Sequence, residues 1–384
     1  MRFPEFTGKW KEHSLSEYLE FKNGLNPDAK RIGKGIPFLS VMDILADGVI
    51  NYDNIRGKVE ATEKEIESFG VNSGDLLFQR SSETLEDVGR ANVYMDNRTA
   101  VYGGFVIRGR KIGSYDPFFV KYLLATPLAR KRTCRMGAGA QHFNIGQESL
   151  AKISLYFPSM EEQQKIAEFL SLLDERIATQ NKIIKDLKKL KSAISNTLIN
   201  HRDKIVKIGS ICSIAEQIKA DMSKCDKIIT VRLHCKGVCR SSANNLELGA
   251  TQYYVRQKGQ LIWGKQNFHH GAIGIVPDNL DGGLTSKDIP SFDIDSNYCC
   301  PKFILYQLQM PCYYEATEAY MTGTGSKRLK EETFLNMKIS LPPLSEQREI
   351  AKAIETIEAK LNVEMALLDT YKLQKTYLLN QMFI

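Results

Sequence analysis

Two short polar segments have the side chains with the clearest potential for chemistry. Each follows an apolar run, which ends at Phe78 in the first case and at Trp263 in the second. The segments read Gln79-Arg80-Ser81-Ser82 and Lys265-Gln266-Asn267. Their guanidinium, ammonium, amide and hydroxyl groups can donate hydrogen bonds to phosphates and to base edges. Both segments are therefore candidate nucleic-acid contacts, and the alternative for each residue is an ordinary solvated turn.

Two glycine-containing loops provide further donors. Gly137 and Gly139 precede Gln141-His142, and Gly323 and Gly325 precede Lys327-Arg328. Glycine lets a backbone approach a ligand closely, so the polar side chains that follow could reach a groove of a duplex. The other basic candidates, all in the first half of the chain, are Arg90, Arg108 and Arg110.

The usual catalytic motifs are missing from the sequence. The stretch 323–327 is not a P-loop because no glycine stands at the required earlier position, and neither H-E-x-x-H nor G-x-S-x-G occurs. A zinc site could be drawn from His234, Cys235, Cys239, Cys299 and Cys300. However, the spacing is not the tight C-x2-C pair, and the first half of the chain has no matching cysteines. We expect unpaired core thiols and no metal, and the missing motifs argue against a self-contained enzyme.

The elements that must position the candidate contacts come from a duplication. Pro158 and Gln163 align with Pro342 and Gln347, in both cases 184 residues further on. Upstream, the run 74–78 aligns with 259–263. We therefore predict two copies of one plan, with globular regions at 1–157 and 201–341 and long helices at 158–200 and 342–384.

Both helices have a heptad seam, with apolar residues alternately four and three positions apart. The first seam contains Ile166, Leu170, Leu173, Ile177, Gln180, Ile184 and Leu187, and the second Ile350, Ile354, Ile357, Leu361, Glu364, Leu368 and Tyr371. Sustained 3.5-residue spacing predicts a coiled coil. The alternative is that each helix packs only on its own globular region or drives oligomerisation.

The direction of the helix pair follows from Lys191 and Lys375, which continue the two seams four residues after Leu187 and Tyr371. A parallel, in-register pair would place Lys191 beside Lys375, which is unfavourable. An antiparallel pair avoids this contact, brings Gln180 and Glu364 together, and would put the two globular regions at opposite ends of a rod. Helices of about 38 residues would be about 57 Å long at 1.5 Å per residue, more than one turn of duplex DNA at about 34–36 Å.

The globular regions combine short apolar runs bounded by turn residues with helical stretches. Runs such as 75–78, 104–107 and 260–263 predict strands, and 61–69, 116–132 and 301–314 predict helices. The fold class is therefore α+β, as two tandem domains separated by two long helices that form an antiparallel coiled coil with pseudo-two-fold internal duplication.

The composition limits the class of protein. The 384 residues include 52 Lys and Arg against 45 Asp and Glu, which gives a net charge of +7, and 43% are hydrophobic. These values exclude a wholly disordered or collagen-like chain, and no apolar run approaches the length of a membrane span. The absence of a signal-like start and the presence of only eight cysteines indicate the cytoplasm.

The sequence resembles the DNA-specificity subunit of type I restriction–modification systems. The resemblance rests on FPEFTGKWKEHSLSE, GDLLFQRSSETLEDVGRANVY and GQLIWGKQNFHHGAIGIVP, and on the two helix entries FPSMEEQQKIAEFL and LPPLSEQREIAKAI. It covers essentially the whole chain, and the doubled P-x-x-x-E-Q-x-x-I-A entry is its most specific part.

The resemblance implies two target recognition domains, each of which reads one half of a bipartite sequence in double-stranded DNA. The helices would set the spacer and dock two modification subunits, and restriction subunits would join the full complex. S-adenosylmethionine would belong to the modification subunits, and ATP and Mg to the restriction subunits. The resemblance thus implies that this chain has no cofactor and no catalytic activity of its own. The alternatives are a two-domain protein-interaction scaffold without sequence-specific DNA binding, a self-contained enzyme, and a nucleic-acid-binding protein that recruits no subunits.

Overall fold

The computed structural model describes residues 2–139, 141–199, 204–220, 227–241, 251–323 and 326–383. Gly325 and the predicted boundary between residues 200 and 201 lie outside this described part. The chain divides into unit 1, which is Met1–Lys182 with Met365–Ile384, and unit 2, which is Ile183–Glu364. Each unit therefore contains one globular region and part of both long helices.

The first copy consists of short strands and helices that lead into the first long helix. Its strands are β1 Lys11–Ser14, β2 Leu19–Asn23, β3 Ile32–Leu39, β4 Gly57–Val59, β5 Gly70–Val71, β6 Leu76–Gln79, β7 Ser81–Ser82, β8 Ala91–Val93, β9 Ala100–Tyr102, β10 Val106–Lys111, β11 Phe143–Asn144 and β12 Ser154–Phe157. Its helices are α1 Val41–Ile44, α2 Glu63–Phe69, α3 Pro117–Ala125, α4 Pro127–Arg135, α5 Gln147–Ala151 and the long α6 Met160–Ile194.

The described residues of the second copy repeat much of this order. Its strands are β13 Ile205–Lys207, β14 Cys212–Ile214, β15 Ile229–Val231, β16 Val238–Arg240, β17 Tyr253–Arg256, β18 Leu261–Trp263, β19 Ile273–Ile275, β20 Gly283–Ser286, β21 Ser291–Ile294 and β22 Lys338–Ser340. Its helices are α7 Pro301–Leu308, α8 Pro311–Tyr314, α9 Glu331–Asn336 and the long α10 Leu344–Met382.

Equivalent four-stranded sheets form the centre of the two copies. The order is β2-β10-β6-β8 in unit 1 and β14-β21-β18-β19 in unit 2, with antiparallel neighbours in both. Phe78 in unit 1 and Trp263 in unit 2 are fully buried in the cores beneath these sheets. Unit 1 also has the sheet β4-β3-β9-β5, where unit 2 has the two-stranded pairs β15-β16 and β17-β20. The predicted internal duplication and α+β class are confirmed.

Two helices that the sequence predicts as continuous are divided at a proline. The predicted helix 116–132 is divided between α3 and α4 at Thr126-Pro127, and 301–314 is divided between α7 and α8 at Met310-Pro311. Proline lacks an amide hydrogen and disfavours the helical region for the residue before it. Thr126 and Met310 accordingly have extended ψ angles of 153° and 129°.

The long helices are antiparallel, as the sequence predicts. In unit 1, Leu378 and Met382 near the end of α10 pack in the same core as Ile166 and Leu170 near the start of α6. In unit 2 the start of α10 packs near the end of α6, because Ile194 contacts the cluster that contains Ile350 and Ile354. Every predicted seam residue is buried or half-buried, including Gln180 and Glu364.

The repeated glutamine near each helix entry joins the long helix to its own globular region. Gln163 Oε1 accepts a hydrogen bond from the Asp116 amide at 3.1 Å, at the start of α3. Gln347 Oε1 accepts from the Cys300 amide at 2.8 Å, at the start of α7. Both glutamine side chains are buried and also donate to the backbone of the segment before their helix. The glutamine of the repeated motif therefore accepts from an amide that helix geometry leaves unpaired at the start of α3 and of α7.

Candidate nucleic-acid interface

In unit 1 the candidate segment after β6 pairs with the glycine-containing loop. Ser81 and Ser82 pair with Asn144 and Phe143, and Ser81 Oγ donates a hydrogen bond to Asn144 Oδ1. The Ile145 amide donates to the Arg80 carbonyl at 3.0 Å. Two segments about 60 residues apart in the chain thus form one surface. We call residues 80–82 with 141–144 loop cluster 1.

The glycine-containing loop is a tight hairpin that requires glycine at one position. Ala138 and Asn144 exchange backbone hydrogen bonds of 2.9 and 2.8 Å across it. Gly139 has φ = +139°, and a Cβ atom there would lie 2.0 Å from the His142 carbonyl oxygen. Gln141 and His142 are exposed at the end of this hairpin. The backbone therefore presents both predicted side chains to solvent.

Unit 2 repeats this arrangement. The Leu329 amide donates to the Lys265 carbonyl at 2.9 Å, and Thr322 and Arg328 exchange backbone hydrogen bonds of 3.1 and 2.9 Å. Gly323 has φ = +136°, and a Cβ atom there would lie 2.5 Å from the Ser326 carbonyl oxygen. We call Lys265, Gln266 and Asn267 together with 326–328 loop cluster 2.

The cations of loop cluster 2 are held by carboxylates. Lys265 Nζ lies 2.7 Å from Glu331 Oε1. Lys327 pairs with Glu318 at 3.0 Å and Arg328 with Asp288 at 3.3 Å, and both of these pairs are half exposed. Exposed ion pairs contribute little to stability and are screened by salt. Lys327 and Arg328 can therefore exchange their carboxylates for phosphates at low cost.

Buried Arg256 supports the turn that holds Asp288. Its guanidinium donates to Thr285 Oγ1 at 2.6 Å, to Ser291 Oγ at 2.8 Å and to the Ile289 carbonyl at 3.0 Å. Burial lowers the pKa of this guanidinium to about 10. Its place in the sequence, at the end of an apolar run, does not distinguish it from an exposed arginine.

Three of the predicted contact residues lie inside unit 1 or against its backbone. Arg108 is 6% exposed, and its guanidinium donates to the Gly70 carbonyl at 2.5 Å. Arg110 donates to the same carbonyl at 2.6 Å, and Gln79, which is 5% exposed, donates to the Ser81 carbonyl at 2.9 Å. Burial lowers the pKa of Arg108. In this structure Gln79 thus supports loop cluster 1, whereas Arg108 and Arg110 hold the junction between α2 and β5.

Arg90 and Phe105, in contrast, have exposed side chains. Arg90 is half exposed and pairs with Asp87 at 2.7 Å. Phe105 is 69% exposed, although the apolar run 104–107 predicts a strand there. Arg80 holds the turn that presents this ring, because its amide donates to the Phe105 carbonyl at 2.9 Å and Nη1 donates to the Gly104 carbonyl at 3.2 Å. The Gly103-Gly104 pair was the sequence signal for this turn.

Within the described residues, no helix is both long and apolar enough to cross a membrane. In the same part of the chain, no group of three or more His, Cys, Asp or Glu side chains could hold a metal ion. Cys212 and Cys299 are buried, and burial raises the pKa of both thiols.

Comparison with known proteins adds a family and a fold. The family model for the type I restriction modification DNA specificity domain matches residues 7–189 and 204–370. A curated relative, the type I restriction enzyme MjaVIII specificity subunit of Methanocaldococcus jannaschii, is 22% identical over 397 residues, which cover 95% of this chain and 89% of the relative.

Two solved structures have the same fold. The S subunit of a type I restriction–modification system from M. genitalium superposes with a TM-score of 0.61 at 13% identity, and the match covers 100% of this chain and 99% of the other. A chain from work on complex assembly and conformational transition of the type I R-M system has a TM-score of 0.55 at 14% identity, with 98% and 97% covered.

Proposed function

The chain belongs to the type I restriction modification DNA specificity family, and from this premise we propose how it recognises DNA. Each globular region is a target recognition domain that reads one half of a bipartite sequence in double-stranded DNA. This proposal is supported by one observation. Equivalent backbone hydrogen bonds form loop cluster 1 in the first domain and loop cluster 2 in the second, whereas the side chains on them differ. The same scaffold can therefore read two different half-sites.

The domains in this proposal are the recognition domains 1–157 and 201–341, followed by the helices 158–200 and 342–384. In the first domain Arg80, Ser81, Ser82, Gln141, His142 and Arg90 are the proposed contacts, and in the second Lys265, Gln266, Asn267, Lys327 and Arg328. Gln79 would act by holding Ser81, and Arg108 and Arg110 by holding the start of β5 at Gly70. Arginine, lysine and amide side chains recognise guanine and adenine edges in the major groove, and the cations also bind phosphates.

The chain is the non-catalytic recognition subunit of its system. We propose that its helix pair docks two modification subunits and that restriction subunits join the full complex in the cytoplasm. In this arrangement S-adenosylmethionine is bound by the modification subunits, and ATP and Mg by the restriction subunits. The family membership and the predicted helix seams support this proposal.

The test is methylome sequencing of cells that contain the chain with its modification subunit. We expect a two-part methylated motif that disappears without this chain. Arg80→Ala should relax or weaken recognition of one half-site, and Lys327→Ala with Arg328→Ala should affect the other half-site only. Lys152→Ala and Lys258→Ala are matched controls, because both lysines are exposed and lie outside the loop clusters. Relaxed base specificity at both half-sites in one loop-cluster variant would contradict the assignment.

The spacer between half-sites tests the role of the helices. Inserting one heptad into both helices adds about 10 Å at 1.5 Å per residue, which corresponds to about three base pairs at 3.4 Å each. We expect the methylated motif to keep its half-sites and to change its spacer. An unchanged spacer would refute the proposal that the helices determine it.

A protein-interaction scaffold without sequence-specific DNA binding is the alternative function. It predicts no methylated motif that depends on this chain, and binding to random duplex DNA that is weak or absent at low salt. A recognition subunit should bind random duplex with an affinity that falls steeply as salt rises, because phosphate contacts release counterions.

A further inference from the structure

An aspartate of the first long helix lies where three elements of unit 1 meet. Asp174 of α6 accepts a hydrogen bond from the Tyr122 hydroxyl at 2.9 Å, and Tyr122 belongs to α3 of the recognition domain. Lys375 of α10 forms an ion pair with the same carboxylate, and Lys121 Nζ lies 3.6 Å away. The Asp174 side chain is 18% exposed, so solvent only partly screens these contacts.

Unit 2 contains the same arrangement, but here α10 contributes the carboxylate and α6 the lysine. Glu358 of α10 accepts from the Tyr306 hydroxyl at 2.9 Å, and Tyr306 belongs to α7 of the second recognition domain. Lys191 of α6 donates to Glu358 at 2.5 Å. Tyr306, Glu358 and Lys375 stand 184 positions after Tyr122, Asp174 and Lys191. The two seam lysines thus pair with carboxylates.

In both units the carboxylate joins three separate elements. The tyrosine comes from the recognition domain, the carboxylate from the long helix that follows this domain, and the lysine from the other long helix. Each lysine also lies near the tyrosine ring, at 5.7 Å for Lys375 and 5.9 Å for Lys191. A rotation of the domain on the helices would break the tyrosine hydrogen bond.

Apolar packing alone would restrict such a rotation less. Ile166 and Leu170 contribute burial, which is not directional. A hydrogen bond to a charged acceptor has a preferred distance and angle, and it is stronger than one between neutral groups. The clusters are therefore suited to select one angle of the domain from those that apolar packing allows.

We propose that these clusters are positioning residues that determine which spacer between half-sites the protein accepts. We call them carboxylate clamp 1, Tyr122–Asp174–Lys375, and carboxylate clamp 2, Tyr306–Glu358–Lys191. Each clamp holds its recognition domain at a set angle to the adjoining helix halves and contacts no base itself. This inference rests on the proposed function, and it adds residues in the helices and domain helices to the determinants of target selection.

The test uses the full chain assembled with its modification subunit and duplexes that differ only in spacer length. Methylation rates are measured on the preferred spacer and on spacers one base pair shorter and longer. Tyr122→Phe and Tyr306→Phe remove a hydroxyl and leave the packing ring. We expect each to lower the preference for the correct spacer about tenfold, because a hydrogen bond to a charged group contributes on this order. The preference for correct over mutated half-sites should stay unchanged.

Further variants separate positioning from folding. Lys372→Met on α10 is the matched control for Lys375→Met, because Lys372 is exposed and lies outside the clamp. Glu358→Lys and Lys191→Glu should each reduce spacer preference, and the double exchange should recover part of it by restoring an ion pair with reversed sign. A stability defect alone would lower all rates equally and would leave the ratio between spacers unchanged.

The outcomes distinguish this inference from the proposed function. If the wild-type protein selects half-sites and spacer and the tyrosine variants select spacers equally well, the clamp proposal is wrong and the proposed DNA recognition stands. Wild-type complex that methylates no specific sequence would overturn the proposed function, and the clamp proposal with it. Reduced spacer preference in the tyrosine variants with recovery in the double exchange would support the clamps.

Discussion

The buried glutamine at each helix entry allows a quantitative prediction for each unit separately. Gln347 is fully buried, accepts from the Cys300 amide at 2.8 Å, and donates to the Pro342 carbonyl at 2.8 Å and the Tyr298 carbonyl at 3.1 Å. Gln163 is 3% exposed and makes two such bonds, both of 3.1 Å, with the Asp116 amide and the Pro158 carbonyl. Replacement by alanine leaves these groups without their partner.

The expected decrease in the free energy of unfolding follows from the groups that the substitution leaves unpaired. One amide and two carbonyls, all in partly buried hydrogen bonds, lose their partner in Gln347→Ala. At about 1 kcal/mol each, the free energy of unfolding should fall by about 3 kcal/mol. The same reasoning gives about 2 kcal/mol for Gln163→Ala, which breaks two longer bonds. With a urea m-value of about 2 kcal/mol per molar, the midpoints of the affected units should fall by about 1.5 M and 1 M.

The chain has two tryptophans, and each reports on one unit. Trp10 lies in the core of unit 1, and Trp263 in the core of unit 2. Urea unfolding followed by fluorescence in a Trp10→Phe background therefore reports on unit 2, and a Trp263→Phe background reports on unit 1. Gln347→Ala should shift the first transition, and Gln163→Ala the second. Glu349→Ala is the control, because this exposed side chain lies on the same helix as Gln347.

Two results would refute this reasoning. A midpoint shift for Gln347→Ala no larger than that of Glu349→Ala would mean that the buried hydrogen bonds do not stabilise the helix entry. A larger effect of Gln163→Ala than of Gln347→Ala would mean that the number and length of the bonds do not determine the loss.

Three further predictions concern the hairpins, the thiols and pH. Gly139→Ala and Gly323→Ala should weaken DNA binding and increase proteolytic cleavage of their hairpins, since a Cβ atom would lie 2.0 or 2.5 Å from a carbonyl oxygen. Gly8→Ala, with no atom within 4 Å of the new Cβ, should be neutral. In alkylation followed by mass spectrometry, exposed Cys312 should react before the other cysteines that the structure describes. Cys212, whose pKa burial raises to about 12, should react only after unfolding; fast labelling of Cys212 in the folded protein would contradict its burial. The Arg31 guanidinium lowers the pKa of Glu65 from 4.5 to about 2, so this ion pair should stabilise unit 1 above pH 4.5 and lose its effect as the pH falls toward 2. Unfolding of unit 1 between these pH values should depend less on pH in Arg31→Met, and an identical dependence would mean that the pair is not formed.

The long-range plan of the fold was accessible from sequence because it depends on repetition and on helical period. The two helix entries repeat, and the seam spacing predicts which helix face is buried. The seam lysines predict the antiparallel direction because the parallel one would bring like charges together. The structure shows how these lysines are satisfied, since Lys375 pairs with Asp174 and Lys191 with Glu358.

The candidate site was only partly accessible from sequence. The polar segments after β6 and β18 and the glycine hairpins are local features, and the structure brings each pair together into one loop cluster. The burial and the hydrogen-bond partners of each side chain could not be predicted from the sequence. Arg80 and Arg108 both lie near apolar runs, yet Arg108 is buried against the Gly70 carbonyl and Arg80 supports a turn at the surface.

The sequence by itself determined the duplication, the α+β class, the helix seams and the antiparallel direction, because period, repetition and charge are properties of neighbouring or equivalent residues. Only the tertiary structure decided which arginines face solvent, that Phe105 is exposed beside Arg80, and that a tyrosine, a carboxylate and a lysine meet in each unit. The physical reason is that burial and hydrogen-bond partners depend on segments far apart in the chain. The complete Tyr122–Asp174–Lys375 contact forms only when three elements pack together.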